Sequence, residues 1–393
     1  MIDPLQVVLF ASALLASTFM AWTIGAGSAG STPFAPAVGA RAISTLRAGL
    51  TVGVCILLGA VFQGANVSEA VGRELVGGII FSPAAAALAL LIAALLVTIG
   101  VFTGYPIATA FTVTGAVIGV GLAAGGAPNW AKYAEIAILW LTIPFVGGAI
   151  SYAIARWLRA VHANEARAIA ILGGIVGMLL VNIEFAVLGD AGEGETIALA
   201  VAAVLPGQWL VGWTVATGLA TSGGFAVVRR QVSVDLTRAE QRFTVVMGAI
   251  VAFSAGGSQV GLAVGPLVPL LDGLVPLSMI LAGGGIGLLI GAWTGAPRLI
   301  KALSQDYAQL GPRRALAALL PAFAIAQVAI LLGVPVSFNQ IIVSGVAGAG
   351  AAAHASGGIS RRKIRYTVLA WTLSFVGSFV IGFASGWLIV GSL

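Results

Sequence analysis

The chain has 393 residues, of which 59% are hydrophobic and only 8% charged, with a formal net charge of +6. A soluble domain cannot hide that much apolar surface, so the composition excludes one and requires a polytopic membrane protein bathed in a lipid bilayer. The basic residues sit in short clusters between apolar stretches, the pattern of cytoplasmic loops, so no nucleic-acid partner is expected.

Apolar stretches of membrane-crossing length lie at roughly 5–26, 48–64, 84–103, 105–124, 134–155, 168–188, 196–227, 243–270, 275–296, 315–333, 335–354 and 366–391. The first, Leu5 to Trp22, is preceded by Asp3 without a basic region, so it reads as a span and not as a cleaved signal peptide. The expected fold is an all-α polytopic membrane protein of about 12 transmembrane segments. Stretches 105–124 and 335–354 are rich in glycine and small residues, which marks them as candidates for broken or re-entrant helices. Cys55 is the only cysteine, and His162 and His354 are the only histidines. No disulfide, metal site or cofactor is expected from them.

The chain repeats itself. "GYPIATAFTVTGAVIGVG" from Gly104 overlays "GVPVSFNQIIVSGVAGAG" from Gly333 without a gap. "AGSAGSTPFAP" from Ala26 overlays "GGSQVGLAVGP" from Gly256, and "WLTIPFVGG" from Trp140 has a looser partner in "WTLSFVGSF" from Trp371. The matches keep their order and nearly their spacing. Loop charges swap sides between equivalent loops: Arg41 and Arg47 correspond to a loop with Asp272, and Lys132 to Arg361, Arg362, Lys363 and Arg365. The positive-inside rule then predicts two inverted-topology repeats, 1–160 and 239–393, joined by connecting helices and a cytoplasmic loop over 161–238. Both termini are expected outside the cell membrane, and a homodimer is an open alternative to a monomer.

Such repeats with interrupted segments are the architecture of secondary transporters, whose substrate site lies near the midplane. Four breaks fit: Gly25–Thr32, Gly256–Leu262, Pro106–Thr109 and Pro335–Gln340. The first amides of a half-helix lack intrahelical acceptors and carry partial positive charge, so they bind an anion without a charged side chain. Proline suits such a start. Small residues in membrane helices also serve close packing, and for any single break that reading is preferred. Four breaks at repeat-equivalent positions, each beside Ser, Thr, Asn or Gln, favour a common site for one tetrahedral oxyanion. Gly27, Ser31, Gly257 and Gln340 belong to it through these breaks.

At these motifs the sequence resembles the inorganic phosphate transporter (PiT) family of phosphate and sulfate permeases, which carries a duplicated "GANDVANAxG" and, later in each half, "GLPVSTTHALVGAxxGxG". "VGARAI" from Val38, "GANV" from Gly64 and "RLIKAL" from Arg298 also look like family text. The resemblance covers both halves and implies substrate contacts at Ser28, Thr32, Thr109, Ser258, Gln259, Ser337 and Asn339. The departures are pointed. The family's Asn-Asp pair is Ser28-Ala29 in the first half and Ser258-Gln259 in the second, so neither Asp position keeps a carboxylate.

A site of neutral donors suits sulfate, which only accepts hydrogen bonds, whereas phosphate can donate its remaining proton to a carboxylate. Sulfate is therefore favoured over phosphate, and a coupling proton over sodium. Glu184 is the carboxylate most nearly within a membrane segment and the candidate coupling group. Its position near a predicted helix end fits better with a solvated place at the outer mouth beside Asp190. The expected function is an oxyanion permease working by alternating access. A passive anion channel with the same lining is the alternative. An intramembrane enzyme ranks far behind, because no HExxH, aspartate pair or Ser/His pair is present.

Overall fold

The computed structural model describes residues 4–104, 106–161, 164–185, 188, 194–204, 208–306, 310–353 and 361–389; Asp190, His162 and His354 lie outside them. The described chain is almost wholly helical. In order it forms α1 (Pro4–Ala26), α2 (Ser28–Ser31), α3 (Ala35–Gly39), α4 (Thr45–Gln63), α5 (Ala65–Glu69) running into a π-helical turn, α6 (Pro83–Thr103), α7 (Thr109–Ala123), α8 (Trp130–Ala160) and α9 (Glu165–Val181). Then follow α10 (Ile197–Val204), α11 (Trp209–Val234), α12 (Leu236–Val264), α13 (Val268–Leu271), α14 (Leu277–Thr294), α15 (Ala296–Asp306), α16 (Pro312–Leu331), α17 (Phe338–Ala351) and α18 (Arg361–Ile389). Two antiparallel two-residue pairs close loops: β1 (Val76–Gly77) with β2 (Ala127–Pro128), and β3 (Glu184–Phe185) with β4 (Glu195–Thr196).

Helix ends follow local chemistry. Ser82 caps α6 by accepting the Ala85 amide at 3.2 Å, with Pro83 in the first turn. Asn129 and Asp235 cap α8 and α12 in the same way. Gly104 ends α6 at φ +76° and Gly333 follows α16 at φ +59°. These two glycines coincide in the sequence overlay. Each takes the left-handed conformation that a Cβ disfavours, turning the chain back toward the middle of the bundle.

Helices that are equivalent in the overlay make equivalent contacts. Helix α1 packs on α6 and α14, while α12 packs on α16 and α4; α7 lies along α18, and α17 along α8. The core is built at these crossings, with Met20, Ile24, Ile56, Met247 and Leu262 fully buried, whereas Leu141 and Phe145 of α8 remain on the outer surface. At one end of the bundle Arg73 pairs with Glu69 and Asp272, each at 2.7 Å. At the same end Lys132 is caged by Glu74 at 2.9 Å, Glu135 at 3.0 Å and the Leu332 carbonyl at 3.2 Å.

Several expectations need adjustment. Among the described residues, nine helices are long and apolar enough to cross a membrane, against the twelve stretches marked in the sequence. Helices α7 and α17 have only 15 and 14 residues because each begins inside the bundle after a turn-back. The stretch 196–227 is divided between α10 and α11. The break expected at Gly256–Leu262 is absent, since α12 runs through it unbroken. Its glycines serve close approach instead. A Cβ at Gly256 would overlap the Ile56 carbonyl of α4, and one at Gly59 would overlap the Phe253 carbonyl of α12.

Candidate functional site

The break after α1 is real. Gly27 interrupts the helix at φ −94° and ψ −95°, and α2 restarts at Ser28. The Ser31 hydroxyl donates to the Gly27 carbonyl and Thr32 donates to the Ser28 carbonyl at 2.8 Å, so both close the turn locally. Ser28 is left to face the second half of the chain. Its Oγ donates to Gln259 Oε1 of α12 at 2.7 Å, across 231 residues, and accepts from Thr109 Oγ1 at the start of α7 at 2.9 Å. Gln259 Nε2 then donates to the Val336 carbonyl, just before α17, at 2.6 Å. One chain of hydrogen bonds thus joins α7, α2, α12 and the approach to α17.

The two turn-backs are clamped reciprocally. Trp140 of α8 donates its indole N–H to the Pro335 carbonyl, and Trp371 of α18 donates to the Pro106 carbonyl, both at 2.8 Å. Asn339 donates to the Ile107 carbonyl at 2.5 Å and Gln340 to the Trp140 carbonyl at 2.7 Å. The overlay of "WLTIPFVGG" with "WTLSFVGSF" is the sequence signal of this pair, since it places the two tryptophans at equivalent positions. Trp371→Phe keeps an aromatic ring, a smaller one, but removes the donor. It is expected to lower uptake about three- to tenfold, the size of one buried hydrogen bond, in a proteoliposome assay with folding checked by thermal melt.

Every polar side chain of this cluster is buried: Ser28, Ser31, Thr32, Thr109, Ser258, Gln259 and Ser337 are 0% exposed, Asn339 and Gln340 2%. Neither α7 nor α17 has a side-chain cap, so their first amides keep their donor capacity. The buried atoms Ser258 Oγ, Ser337 Oγ, Asn339 Oδ1 and Gln340 Oε1 have no hydrogen-bond partner. Four such atoms, one on α12 and three at the start of α17, are costly in a packed interior unless something polar meets them. Hydrogen bonds bring together Ser28, Thr109 and Gln259, with Ser337 next to the Val336 carbonyl that Gln259 holds and Asn339 tied to the Ile107 carbonyl, whereas Gln340 turns to the Trp140 carbonyl of α8 and Ser258 precedes Gln259 on α12. Gly257 has a packing role, since a Cβ there would lie 2.6 Å from Gln63 Cβ.

Glu184 is not inside a membrane helix. It sits half-buried on β3, at the rim of a cavity of about 310 Å³ that Gln63 and Asn66 also line. Asn66 Nδ2 lies 3.5 Å from its carboxylate, and Gln63 Nε2 donates to its backbone carbonyl at 2.7 Å. Gln63 also bonds Gln327, which donates to Ser254 Oγ at 2.7 Å. Ser254 is one helical turn before Ser258. Sequence reading missed this polar ladder, although glutamines isolated in apolar stretches, as in "AIAQVAI", are its signature.

A nearly all-helical bundle around a buried, uncharged polar cluster, with nine helices among the described residues long and apolar enough to cross a membrane, is that of a multi-pass membrane protein. The chain belongs to the phosphate transporter family, whose model matches residues 24–382. It is 26% identical to a Pyrococcus furiosus protein that carries a phosphate-permease name, over 96% of this chain and 95% of that one. It is 24% identical to "Inorganic phosphate transporter 2-1, chloroplastic" of Arabidopsis thaliana, over 92% of this chain and 69% of that one. The solved structure titled "The sodium-dependent phosphate transporter" superposes with a TM-score of 0.81 at 22% identity, covering 98% of this chain and all of the other, a likeness of fold.

Proposed function

We propose that the chain is a phosphate permease that encloses its anion among neutral donors and acceptors at the Ser28–Gln259 junction, and carries it by rocking two inverted repeats about that junction. The observation that carries this reading is the set of unpartnered buried atoms. Ser258 and Ser337 supply hydroxyls, and the starts of α7 and α17 supply amide donors. Asn339 Oδ1 and Gln340 Oε1 remain as acceptors, a role for which phosphate near neutral pH keeps a proton and sulfate does not. Amide oxygens thereby take the part that a carboxylate would play. Labelled phosphate uptake into proteoliposomes, with sulfate as competitor, tests the choice. Phosphate is expected to enter against its gradient and resist a tenfold sulfate excess. Entry only down the gradient would make the chain a channel.

Sulfate remains the second reading, because no carboxylate occupies either position equivalent to the family's Asp. The same absence favours protons over sodium as the coupling ion, with Glu184, at the rim of the cavity lined by Gln63 and Asn66, as the titratable group. Glu184→Gln is expected to flatten the dependence of uptake on an imposed pH gradient by roughly fivefold while sodium replacement changes nothing. A strict sodium requirement would overturn the proton reading, in line with the printed name of the structural neighbour.

A further inference from the structure

Helices α9 and α11 form a hairpin of their own, apart from the buried anion site. They cross closely because a Cβ at Gly177 would overlap the Ala220 carbonyl, and one at Gly224 the Gly173 carbonyl. This hairpin leans on α12 and leaves a cleft of about 660 Å³. The cleft has a direction. Going along α12, Arg238 and Arg242 come first and Val246 and Ile250 follow; on α11, Gln231 lies near the same end and Val227 deeper. From Arg242 to Ile250 the helix rises about 12 Å. The cleft therefore has a cationic, hydrogen-bonding mouth and an apolar slot running away from it.

We propose that this cleft is a binding site for an anionic glycerophospholipid, with its phosphate at Arg238 and Arg242 and an acyl chain lying between the hairpin and α12. Charge complementarity selects the headgroup. Among the described residues Arg242 has no carboxylate partner. Among the same residues Arg238 pairs only with Asp235, at 3.3 Å, while its side chain is 76% exposed. The remaining guanidinium donors are free to fork onto phosphate oxygens. The slot selects the chain, since its walls are glycine backbone and apolar side chains of α9, α11 and α12, and Val246 and Val227 are 51% and 56% exposed. A soluble phosphate would leave that slot unused, and a neutral lipid would leave the arginines unmatched. The bound lipid would brace the connecting hairpin against α12.

The test is native mass spectrometry of the purified full chain, stripped of lipid and offered phosphatidylglycerol and phosphatidylcholine in equal amounts. Phosphatidylglycerol should be retained about tenfold over phosphatidylcholine. The pair Arg238→Gln and Arg242→Gln should bring both lipids to the same level. Val246→Trp, which fills the slot without altering charge, should reduce both. All three substitutions lie on exposed positions, and a wild-type thermal melt certifies the fold. Equal retention of the two lipids by the wild type, or unchanged preference in the double variant, overturns the proposal. So does displacement of bound phosphatidylglycerol by 10 mM inorganic phosphate, which would mark a free-anion site.

Discussion

Replacing Ser28 and Ser258 together by alanine is expected to cut anion uptake about a hundredfold, roughly tenfold for the lost Ser258 hydroxyl in a desolvated site and roughly tenfold for the lost Ser28 bonds that hold Gln259 and Thr109 in place. The two residues should separate on stability. Ser28 accepts from Thr109 and donates to Gln259, so Ser28→Ala leaves two buried groups short of a partner and should destabilise the fold by about 1–3 kcal/mol. Ser258 Oγ has no protein partner. Ser258→Ala should therefore leave the melting temperature unchanged or slightly raised while uptake falls. A packing role for Ser258 would give the opposite pattern: uptake preserved.

Valine at Gly59 or Gly256 is expected to abolish assembly of the bundle. At both positions the added Cβ would overlap a backbone carbonyl of the facing helix, Phe253 or Ile56. Neither carbonyl can rotate aside as a side chain would. Helices α4 and α12 must part, and the Ser28–Gln259 contact on the same α12 goes with them. Overpacking of this kind costs about 1–3 kcal/mol even where side chains yield, and more where backbone must move. Gly283 of α14 provides the control, because nothing lies within 4 Å of a Cβ there. Gly283→Ala should be neutral or stabilising by up to about 1 kcal/mol through helix propensity. Detergent size-exclusion and thermal melts read both outcomes.

The helix starts around the buried polar cluster were legible in the amino-acid sequence. Helix starts at Thr109 and Phe338 follow from proline and glycine in repeat-matched text, and buried Ser, Thr, Asn and Gln cannot persist at membrane depth without partners. The error at Gly256–Leu262 is instructive beside the success at Gly25–Thr32. Both segments read as glycine and serine among apolar residues. In the first half the helix breaks at Gly27; in the second the glycines of α12 let α4 approach, and the helix continues. Glycine supplies conformational freedom and absence of volume together, and only the neighbouring helix selects which is used.

The apolar stretch 168–188 was drawn too long for a related reason, while Glu184 lies outside the helix, as its place near a helix end suggested. Local hydropathy carries the apolar run past Val181, whereas the chain leaves the helix there and pairs Glu184 with Thr196. The amino-acid sequence by itself determined the membrane class, the order and repetition of the segments, and the absence of charge from the buried cluster around Ser28 and Gln259, because these depend on composition and spacing alone. Tertiary structure alone decided that Ser28 meets Gln259, that each tryptophan clamps the opposite half, and which polar atoms remain unpartnered. Those contacts join residues more than 190 positions apart, and their partners are set by how whole helices pack.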